Sequence, residues 1–256
     1  FKIANPSDLT KENKLSNGIL MIPYWLLTYE EMLAMLLDRS DSNAPNQAMI
    51  FSKTVFEKKL AFLDSISDET FTGNITIDSP IPYKISDVLR KISELDTEMV
   101  AGARTEKQGP YFGKLTRFVQ RLEAKAQDKR LGFLFQITDE ENHIDWIYDF
   151  CEALMHGSKC QSKKSGVKII DFSEVPSDVL PLVIGLISRL IFSVQQWTNK
   201  ENRHPIALFC DEAHLYLPTK DEADSVQKQA LYNFERIAKE GRKYGVSLLP
   251  VSQRPS

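Results

Sequence analysis

Residues 205–214, which read PIALFCDEAH, decide the fold class of this protein. Five apolar residues lead directly into two adjacent carboxylates, Asp211 and Glu212. A short apolar run of this kind is typical of a buried parallel strand, and the carboxyl ends of such strands form the sheet edge where α/β proteins bind ligands. Parallel strands are joined by crossover connections, which are usually helices. The stretch therefore predicts an α/β fold with an acidic pair at the carboxyl edge of its sheet.

The second half of the chain alternates short apolar runs with long helical patterns. Helical periodicity covers residues 178–197 and 224–239. Ser177 is a candidate N-cap for the first of these helices, and Gly241 or Gly245 should end the second. The apolar runs that we interpret as strands are residues 132–135, 167–172, 206–210 and 245–251. Residues 131–256 are thus predicted to form an α/β domain.

The first half of the chain has helical patterns instead. Apolar residues recur at helical spacing in residues 26–37, 55–63, 87–95 and 114–126. Polar connections rich in turn-forming residues lie between them, at residues 41–46 and 72–80. We therefore predict that residues 29–130 form a helical insertion.

The composition describes a soluble globular protein. Hydrophobic residues make up 42% of the chain and charged residues 26%, which argues against a disordered, collagenous or coiled-coil protein. Lysine and arginine number 32 against 35 aspartates and glutamates, so the formal net charge is −3. A nucleic-acid partner would therefore have to bind a local basic patch, because the overall charge does not favour it.

Cysteines and apolar stretches indicate the compartment. Cys151, Cys160 and Cys210 show no CxxC spacing, which argues against a disulfide framework or a cysteine zinc site and favours a reducing cytoplasm. The longest apolar stretch, residues 179–194, is shorter than the ~20 residues of a membrane span, so we expect a buried helix. Phe1 is not followed by the charged and apolar regions of a signal peptide. We expect the chain to be part of a longer protein.

The acidic pair has a chemical and a structural interpretation. In P-loop NTPases an aspartate at a strand end holds Mg²⁺, and a neighbouring glutamate can accept a proton from the attacking water. In this interpretation the strand has the form of a Walker B motif. In the structural interpretation, Asp211 and Glu212 only cap the next element. Ser252 and Gln253 follow the next predicted strand, where an amide can bond both a γ-phosphate and a nucleophilic water.

Several segments together resemble the HerA family, within the HerA/FtsK group of RecA-like hexameric DNA-translocating ATPases. The three that carry the resemblance are LFCDEAHLYLP at 208–218, RIAKEGRKYGVSLL at 236–249 and VSQRPS at 251–256. Weaker support comes from VKIIDFSEVPSDV at 167–179, RFVQRLEAKAQDKRLGFLF at 117–135 and IPYWLLTYEE at 22–31. The order and spacing of the first three segments are specific.

The resemblance implies a fold, cofactors and partners. The fold would be a RecA-like P-loop NTPase core with a parallel sheet, incomplete in this chain, plus a helical insertion. Residues 1–28 and 131–256 would belong to the core, and residues 29–130 would be the insertion. The cofactors would be ATP and Mg²⁺. The partner would be double-stranded DNA, and the assembly would be a homo-oligomer in the form of a hexameric ring.

The resemblance also implies roles for four residues. Asp211 would support Mg²⁺, Glu212 would be the catalytic carboxylate and Gln253 would sense the γ-phosphate. Arg242 matches the position from which the family projects an arginine finger into the neighbouring subunit's site. The alternative for Arg242 is a solvated helix end whose charge complements the helix dipole.

One signature of such ATPases is missing from the chain. No segment matches the phosphate-binding pattern G-x-x-x-x-G-K-[ST]. The nearest segment, residues 109–115, has the wrong glycine spacing, ends in Leu115 and is not expected to join a strand to a helix. In the HerA family the P-loop lies N-terminal to the segment that matches residues 23–25. We therefore expect the chain to lack this loop and a C-terminal part of the core, and to bind ATP weakly or not at all.

His214 and a basic stripe have alternative explanations. His214 imitates the DEAH-box helicases, but their other signatures are absent, and no His or Cys lies at metal-ligand spacing from it. A packed or coupling histidine is the preferred interpretation. Lys114, Arg117, Arg121 and Lys125, the basic stripe, share one face of a predicted amphipathic helix. A solvated face is preferred there over a DNA or partner surface.

Three functions are consistent with these patterns. The first is a HerA-like ring ATPase that couples ATP hydrolysis to DNA translocation or unwinding. The second is an oligomeric ATPase scaffold that assembles or regulates a partner nuclease or other effector without processive translocation. The third is a degenerate domain with a structural role. DNA stimulation of hydrolysis would separate the first two.

Overall fold

The computed structural model describes residues 1–66, 74–102, 105–155, 166–217 and 223–253. The chain divides into two compact units. Unit 1 comprises Phe1–Ile22 together with Asp145–Ser256, and unit 2 comprises Pro23–Ile144. The assignment of residues 29–130 to an insertion in an ATPase core stays a prediction.

The described residues form an α/β protein. Its helices and strands, in chain order, are β1 (Lys2–Ile3), β2 (Ile19–Leu20), α1 (Tyr29–Leu36), α2 (Ala44–Ile66), α3 (Ile85–Thr97), β3 (Met99–Ala101), β4 (Glu106–Gln108), α4 (Thr116–Gln127), α5 (Gly132–Phe135), α6 (Trp146–Met155), α7 (Leu180–Trp197), β5 (Ile206–Cys210), α8 (Ser225–Tyr244) and β6 (Val246–Pro250). Short 3₁₀ turns lie between several of them.

The central feature of unit 1 is the parallel pair of β5 and β6. The two strands are in register from Ile206 opposite Val246 to Cys210 opposite Pro250. One face of the pair packs against Ile184 of α7 and Phe234 of α8 in a shared apolar cluster. On the other face Phe209 is 72% exposed. The predicted strands at 206–210 and 245–251 are confirmed, as is the crossover helix between them.

Helix α8 shows how the sequence sets the geometry of this pair. Asp224 and Gln227 form a capping box, in which each side chain accepts a hydrogen bond from the other residue's backbone N–H. At the other end Gly245 takes a left-handed conformation with φ of 76° and ends the helix. Of the two predicted terminators, Gly245 is therefore correct. Gly241 lies inside the helix, where a Cβ atom would sit 2.4 Å from the carbonyl oxygen of Val246.

Two predicted strands and one predicted helix cap are wrong. Residues 132–135 form helix α5, not a strand, because the 3₁₀ turn Lys129–Leu131 continues directly into it. Residues 167–172 form no strand; Asp171 makes a single bridge to Lys2. Ser177 does not cap α7, which starts at Leu180 after a turn closed by Val179 N–H bonding to Pro176 O.

Helix α7 is the predicted buried helix. The helix has 18 residues and a mean hydropathy of 1.3, which makes it a candidate for a membrane span by length and composition, and 67% of it is buried inside the structure. This burial fits the core helix that the sequence predicts. Gly185 of α7 allows close packing on α8, since a Cβ there would lie 3.2 Å from the Cβ of Ala230.

Unit 2 is mainly helical, as its sequence predicts. The four predicted helices are confirmed as α1 to α4, although α2 starts at Ala44, inside the stretch predicted as a connection. Phe51 of α2 meets Phe118 of α4 edge to face, with ring centroids 5.4 Å apart, in the core. Unit 2 also contains an antiparallel hairpin of β3 and β4 that the sequence did not predict. Its strands are short and exposed, so they lack an apolar pattern.

Candidate functional site

The polar residues that follow β5 and β6 meet at the carboxyl edge of the sheet. The backbone continues the pairing beyond both strands: Val251 N–H bonds to Cys210 O at 2.9 Å, and Ala213 N–H bonds to Val251 O at 2.9 Å. These two bonds hold the turn after β5 beside the segment after β6. Asp211, Glu212 and Gln253 are thereby brought to one edge, as the strand-end pattern predicted.

The turn after β5 has an unusual backbone at Glu212. Its φ of 48° and ψ of 42° lie in the left-handed region, which costs roughly 1–2 kcal/mol for a residue with a Cβ atom. The turn is held by Tyr216, whose buried hydroxyl donates to Asp211 O at 2.8 Å. Burial raises the pKa of Tyr216 above its ordinary value, so the hydroxyl remains a neutral donor. Strain of this kind concentrates at functional sites.

Both oxygens of the Glu212 carboxylate have contacts. Gln253 Nε2 donates to Oε1 at 2.6 Å, and His214 Nδ1 lies 3.3 Å from Oε2. Ser252 Oγ lies 3.3 Å from the same imidazole nitrogen. We call Glu212, His214, Ser252 and Gln253 the carboxyl-edge group. The pairing of Glu212 with Gln253 links the predicted catalytic carboxylate directly to the predicted sensor.

The arrangement fits one side of a magnesium-nucleotide site. Asp211 is exposed, and its Oδ1 accepts the backbone N–H of Glu212 at 3.0 Å. Over the described ranges, no group of three His, Cys, Asp or Glu residues could hold a metal alone. Mg²⁺ commonly binds through one or two carboxylates and the substrate phosphates. A single exposed carboxylate at this edge fits that mode.

Arg242 is not part of this group within the chain. It is exposed on the last turn of α8, before β6 begins, and so lies at the amino end of the strand. The five residues of β6 separate it from the carboxyl edge by roughly 16 Å at ~3.3 Å per residue. Within one chain, Arg242 and Glu212 therefore lie at opposite ends of the strand pair.

Other cations near Arg242 have structural contacts. Arg203 lies over the ring of Tyr244, with its guanidinium carbon 5.1 Å from the ring centroid, and its Nε donates to Thr198 O at 2.8 Å. Arg236 lies 5.3 Å from the centroid of Phe192 and donates to Gln196 Oε1 at 3.1 Å. We call Arg203, Arg236 and Tyr244 the amino-edge group.

The segment at 109–115 joins β4, a strand that the sequence did not predict, to the predicted helix α4. The helix start is nevertheless occupied by a carboxylate of the protein. Asp96 accepts the backbone N–H of Leu115 at 2.7 Å and the hydroxyl of Thr116 at 2.6 Å. A phosphate at this helix start would meet that negative charge, so the segment is a capped helix start.

Three members of the basic stripe, Arg117, Arg121 and Lys125, lie on α4 beside the face that buries Phe118 and Leu122, and Lys114 precedes the helix. Two of its members have local partners: Lys114 Nζ donates to Pro110 O at 2.7 Å, and Arg121 pairs with Asp38 at 3.0 Å. These contacts favour the solvated-face interpretation over a nucleic-acid surface.

Sequence reasoning named most members of the carboxyl-edge group but did not foresee how they connect. His214 was interpreted as a packed or coupling residue, and its side chain is 25% exposed and contacts Glu212. No local sequence signal indicates this contact, because it depends on the left-handed backbone of Glu212. Cys160, His156 and Arg254 lie outside the described residues, as does Pro218, the last residue of the segment 208–218.

The chain matches a known protein family and several individual proteins. The family described as "Helicase HerA, central domain" matches residues 1–191. The chain is 28% identical over 123 residues to the DNA double-strand break repair helicase HerA of Pyrococcus furiosus, covering 37% of this chain and 21% of that protein. It is also 28% identical over 155 residues to the protein of that name from Sulfolobus acidocaldarius, covering 55% of this chain and 29% of that protein.

A third relative, the DNA double-strand break repair helicase HerA of Saccharolobus solfataricus, is 33% identical over 97 residues, covering 36% of this chain and 18% of the relative. The chain thus spans less than a third of the length of each of these relatives. The carboxyl-edge group follows residue 191, outside the range matched by the family.

Proposed function

Because this chain belongs to the family of the helicase HerA central domain, we propose that it carries the Walker B and sensor side of an ATP-hydrolysing site on a RecA-like core. The observation that carries the proposal is the 2.6 Å hydrogen bond between Gln253 and Glu212 at the ends of adjacent parallel strands. Hydrolysis also needs a phosphate-binding loop, which residues 1–256 do not contain. The proposal assigns that loop to another part of the intact polypeptide.

Each residue of the site has a distinct role in this proposal. Asp211, exposed at the strand end, would hold Mg²⁺ that enters with ATP, and the bound nucleotide supplies the phosphoryl group for transfer to water. Glu212 accepts a proton from the attacking water, for which its carboxylate must be ionised. Gln253 leaves Glu212 and bonds the γ-phosphate and the water, so the amide reports that ATP is present.

The proposed assembly is a ring in which neighbouring subunits complete each other's sites. Arg242 lies a strand length from Glu212 of its own chain and is exposed, which suits a finger that reaches a neighbouring subunit. A guanidinium there would offset charge on the transferred phosphoryl group. We propose double-stranded DNA as the substrate that a hexameric ring moves along, and a cytoplasmic location. The relatives named as DNA double-strand break repair helicases support this proposal.

The test measures ATP hydrolysis by the intact polypeptide with and without double-stranded DNA. Glu212→Gln should lower turnover at least ~100-fold while ATP affinity stays within about threefold, since the amide keeps the shape but cannot accept a proton. Glu235→Gln, which changes a half-buried carboxylate on α8 remote in sequence from the site, is the matched control. The isolated 256-residue chain should show no appreciable hydrolysis.

Each outcome decides between the proposed functions. Turnover of Glu212→Gln within a few-fold of wild type would remove Glu212 from catalysis. Hydrolysis that DNA does not stimulate would favour the alternative, an ATPase scaffold for a partner nuclease or other effector.

A further inference from the structure

We propose that His214 is a positioning residue that keeps the Glu212 carboxylate aimed when Gln253 moves to the phosphate. The inference rests on the proposed function of the carboxyl-edge group and deepens it. Among the described residues, each carboxylate oxygen has one side-chain contact, Oε1 with Gln253 and Oε2 with His214. When Gln253 moves away from Glu212, the contact with His214 remains to orient the carboxylate.

The backbone of the turn delivers His214 to this position. The left-handed conformation of Glu212 reverses the chain, so the 3₁₀ turn Ala213–Leu215 folds back beside the carboxylate. Ala213 is 5% exposed and anchors the turn, because its N–H bonds to Val251 O and its carbonyl accepts Leu217 N–H at 2.8 Å. The imidazole is therefore fixed by the same backbone bonds that hold Glu212.

The hydrogen-bonding chemistry selects the carboxylate as the main partner. With its proton on Nδ1, the imidazole can donate toward Glu212 Oε2 or Ser252 Oγ, each 3.3 Å away. The carboxylate carries charge, and charge-assisted hydrogen bonds are about twice as strong as neutral ones. The Ser252 hydroxyl rotates to suit its neighbours. It therefore supports the imidazole from the β6 side without competing for the proton.

Two other roles for His214, a packed core residue and a metal ligand, fit its contacts less well than the positioning role. The His214 side chain is 25% exposed and presents a ring nitrogen to a carboxylate. A metal site would need further ligands, and none is grouped with it in the part of the chain that the structure describes. Contacts of 3.3 Å are compatible with a catalytic hydrogen bond, since such bonds often tighten when the substrate is bound.

The experiment measures steady-state ATP hydrolysis by the intact polypeptide with two variants of His214. His214→Ala should lower kcat at least tenfold and leave KM for ATP within about twofold, because the carboxylate loses its orientation and the nucleotide keeps its contacts. His214→Asn should restore kcat to within about threefold of wild type, because its amide nitrogen replaces Nδ1. His204→Ala, exposed and just before β5, is the matched control.

The variants also separate positioning from folding. If His214→Ala unfolds, the kcat values of His214→Asn and His214→Gln are compared instead. The glutamine side chain is longer and places its amide nitrogen where Nε2 lies, so His214→Gln should not restore kcat. Equal kcat losses in both polar variants, or a raised KM with unchanged kcat, would overturn the proposal. A wild-type protein that hydrolyses no ATP would overturn the proposed function instead. Loss of activity in Glu212→Gln with wild-type kcat in His214→Ala would overturn the positioning role alone.

Discussion

The two edges of the β5–β6 pair are built from different interactions. At the amino edge, Arg203 and Arg236 lie over aromatic rings and bond to the end of α7, so their charges join neighbouring elements. At the carboxyl edge, the Glu212 carboxylate is held by polar side chains in a strained turn. The first arrangement stabilises the fold, whereas the second holds polar side chains together at a cost in backbone strain.

Arg242 is the exception that makes this contrast testable. It lies at the amino edge but is exposed, unlike the half-buried Arg203 and Arg236. If the amino edge were purely structural, loss of Arg242 would have little effect. A large effect on turnover would show that this edge of one subunit serves the carboxyl edge of another.

The largest effect is expected for Arg242→Ala in the intact polypeptide. Turnover should fall about 10³-fold, the lower end of the range for an arginine finger, while thermal unfolding stays unchanged because the side chain is exposed. Steady-state hydrolysis and a melting curve check the two parts. Lys239→Ala, on the same exposed side of α8 and paired with Glu235, is the control.

Mixing subunits shows whether Arg242 acts across an interface. Arg242→Ala subunits mixed with Glu212→Gln subunits should regain activity that peaks at intermediate ratios, because some interfaces then combine an intact Glu212 with an intact Arg242. Exchange of subunits is verified first with labelled protein. With exchange established, no recovery at any ratio would place Arg242 in its own subunit or leave it as a helix-end charge.

A moderate loss of stability is expected for Gly241→Ala. The new Cβ would lie 2.4 Å from Val246 O, and because the obstacle is backbone, α8 and β6 must shift apart. Overpacking of this kind costs about 2–3 kcal/mol of unfolding free energy, measured by chemical denaturation of the 256-residue chain. Glu240→Ala, exposed one residue earlier, should change it by less than ~0.5 kcal/mol. Equal changes in unfolding free energy for the two variants would mean that α8 and β6 can move apart without cost and would contradict this prediction.

The smallest effect is expected for Arg203→Leu. The variant loses two hydrogen bonds to backbone carbonyls and the contact with the Tyr244 ring, which together amount to about 1–2 kcal/mol of stability. Turnover at temperatures well below unfolding should stay near wild type. A loss of turnover without a change in the melting temperature would show that Arg203 acts in ATP hydrolysis. The amino edge would then not be purely structural.

The sequence predicted the strand pair and its polar ends because both follow from short-range patterns. The apolar run before Asp211 and the glycine at 245 each act within a few residues. Residues 132–135 show the limit of such patterns, since an apolar run of four predicts burial in a helix as well as in a strand. Residues 167–172 failed for another reason: a strand requires a paired neighbour, and Asp171 makes only one bridge, to Lys2.

Within the candidate site, residue types were predictable and contacts were not. Asp211, Glu212 and Gln253 follow directly from strand ends. The left-handed backbone of Glu212 depends on bonds from Val251 and Tyr216, which lie outside the dipeptide and leave no local signature. The position of His214 follows from that backbone, so it could not be derived before the turn was known.

Cys210, the last residue of β5, gives the turn above it a chemical reporter. The thiol is 7% exposed. Burial raises its pKa, and a contact with Tyr216 offsets only part of that rise. Only a thiolate reacts readily with alkylating reagents, so the closed turn protects Cys210 from them. The rate at which the Cys210 sulfur is alkylated therefore measures how often the turn after β5 opens.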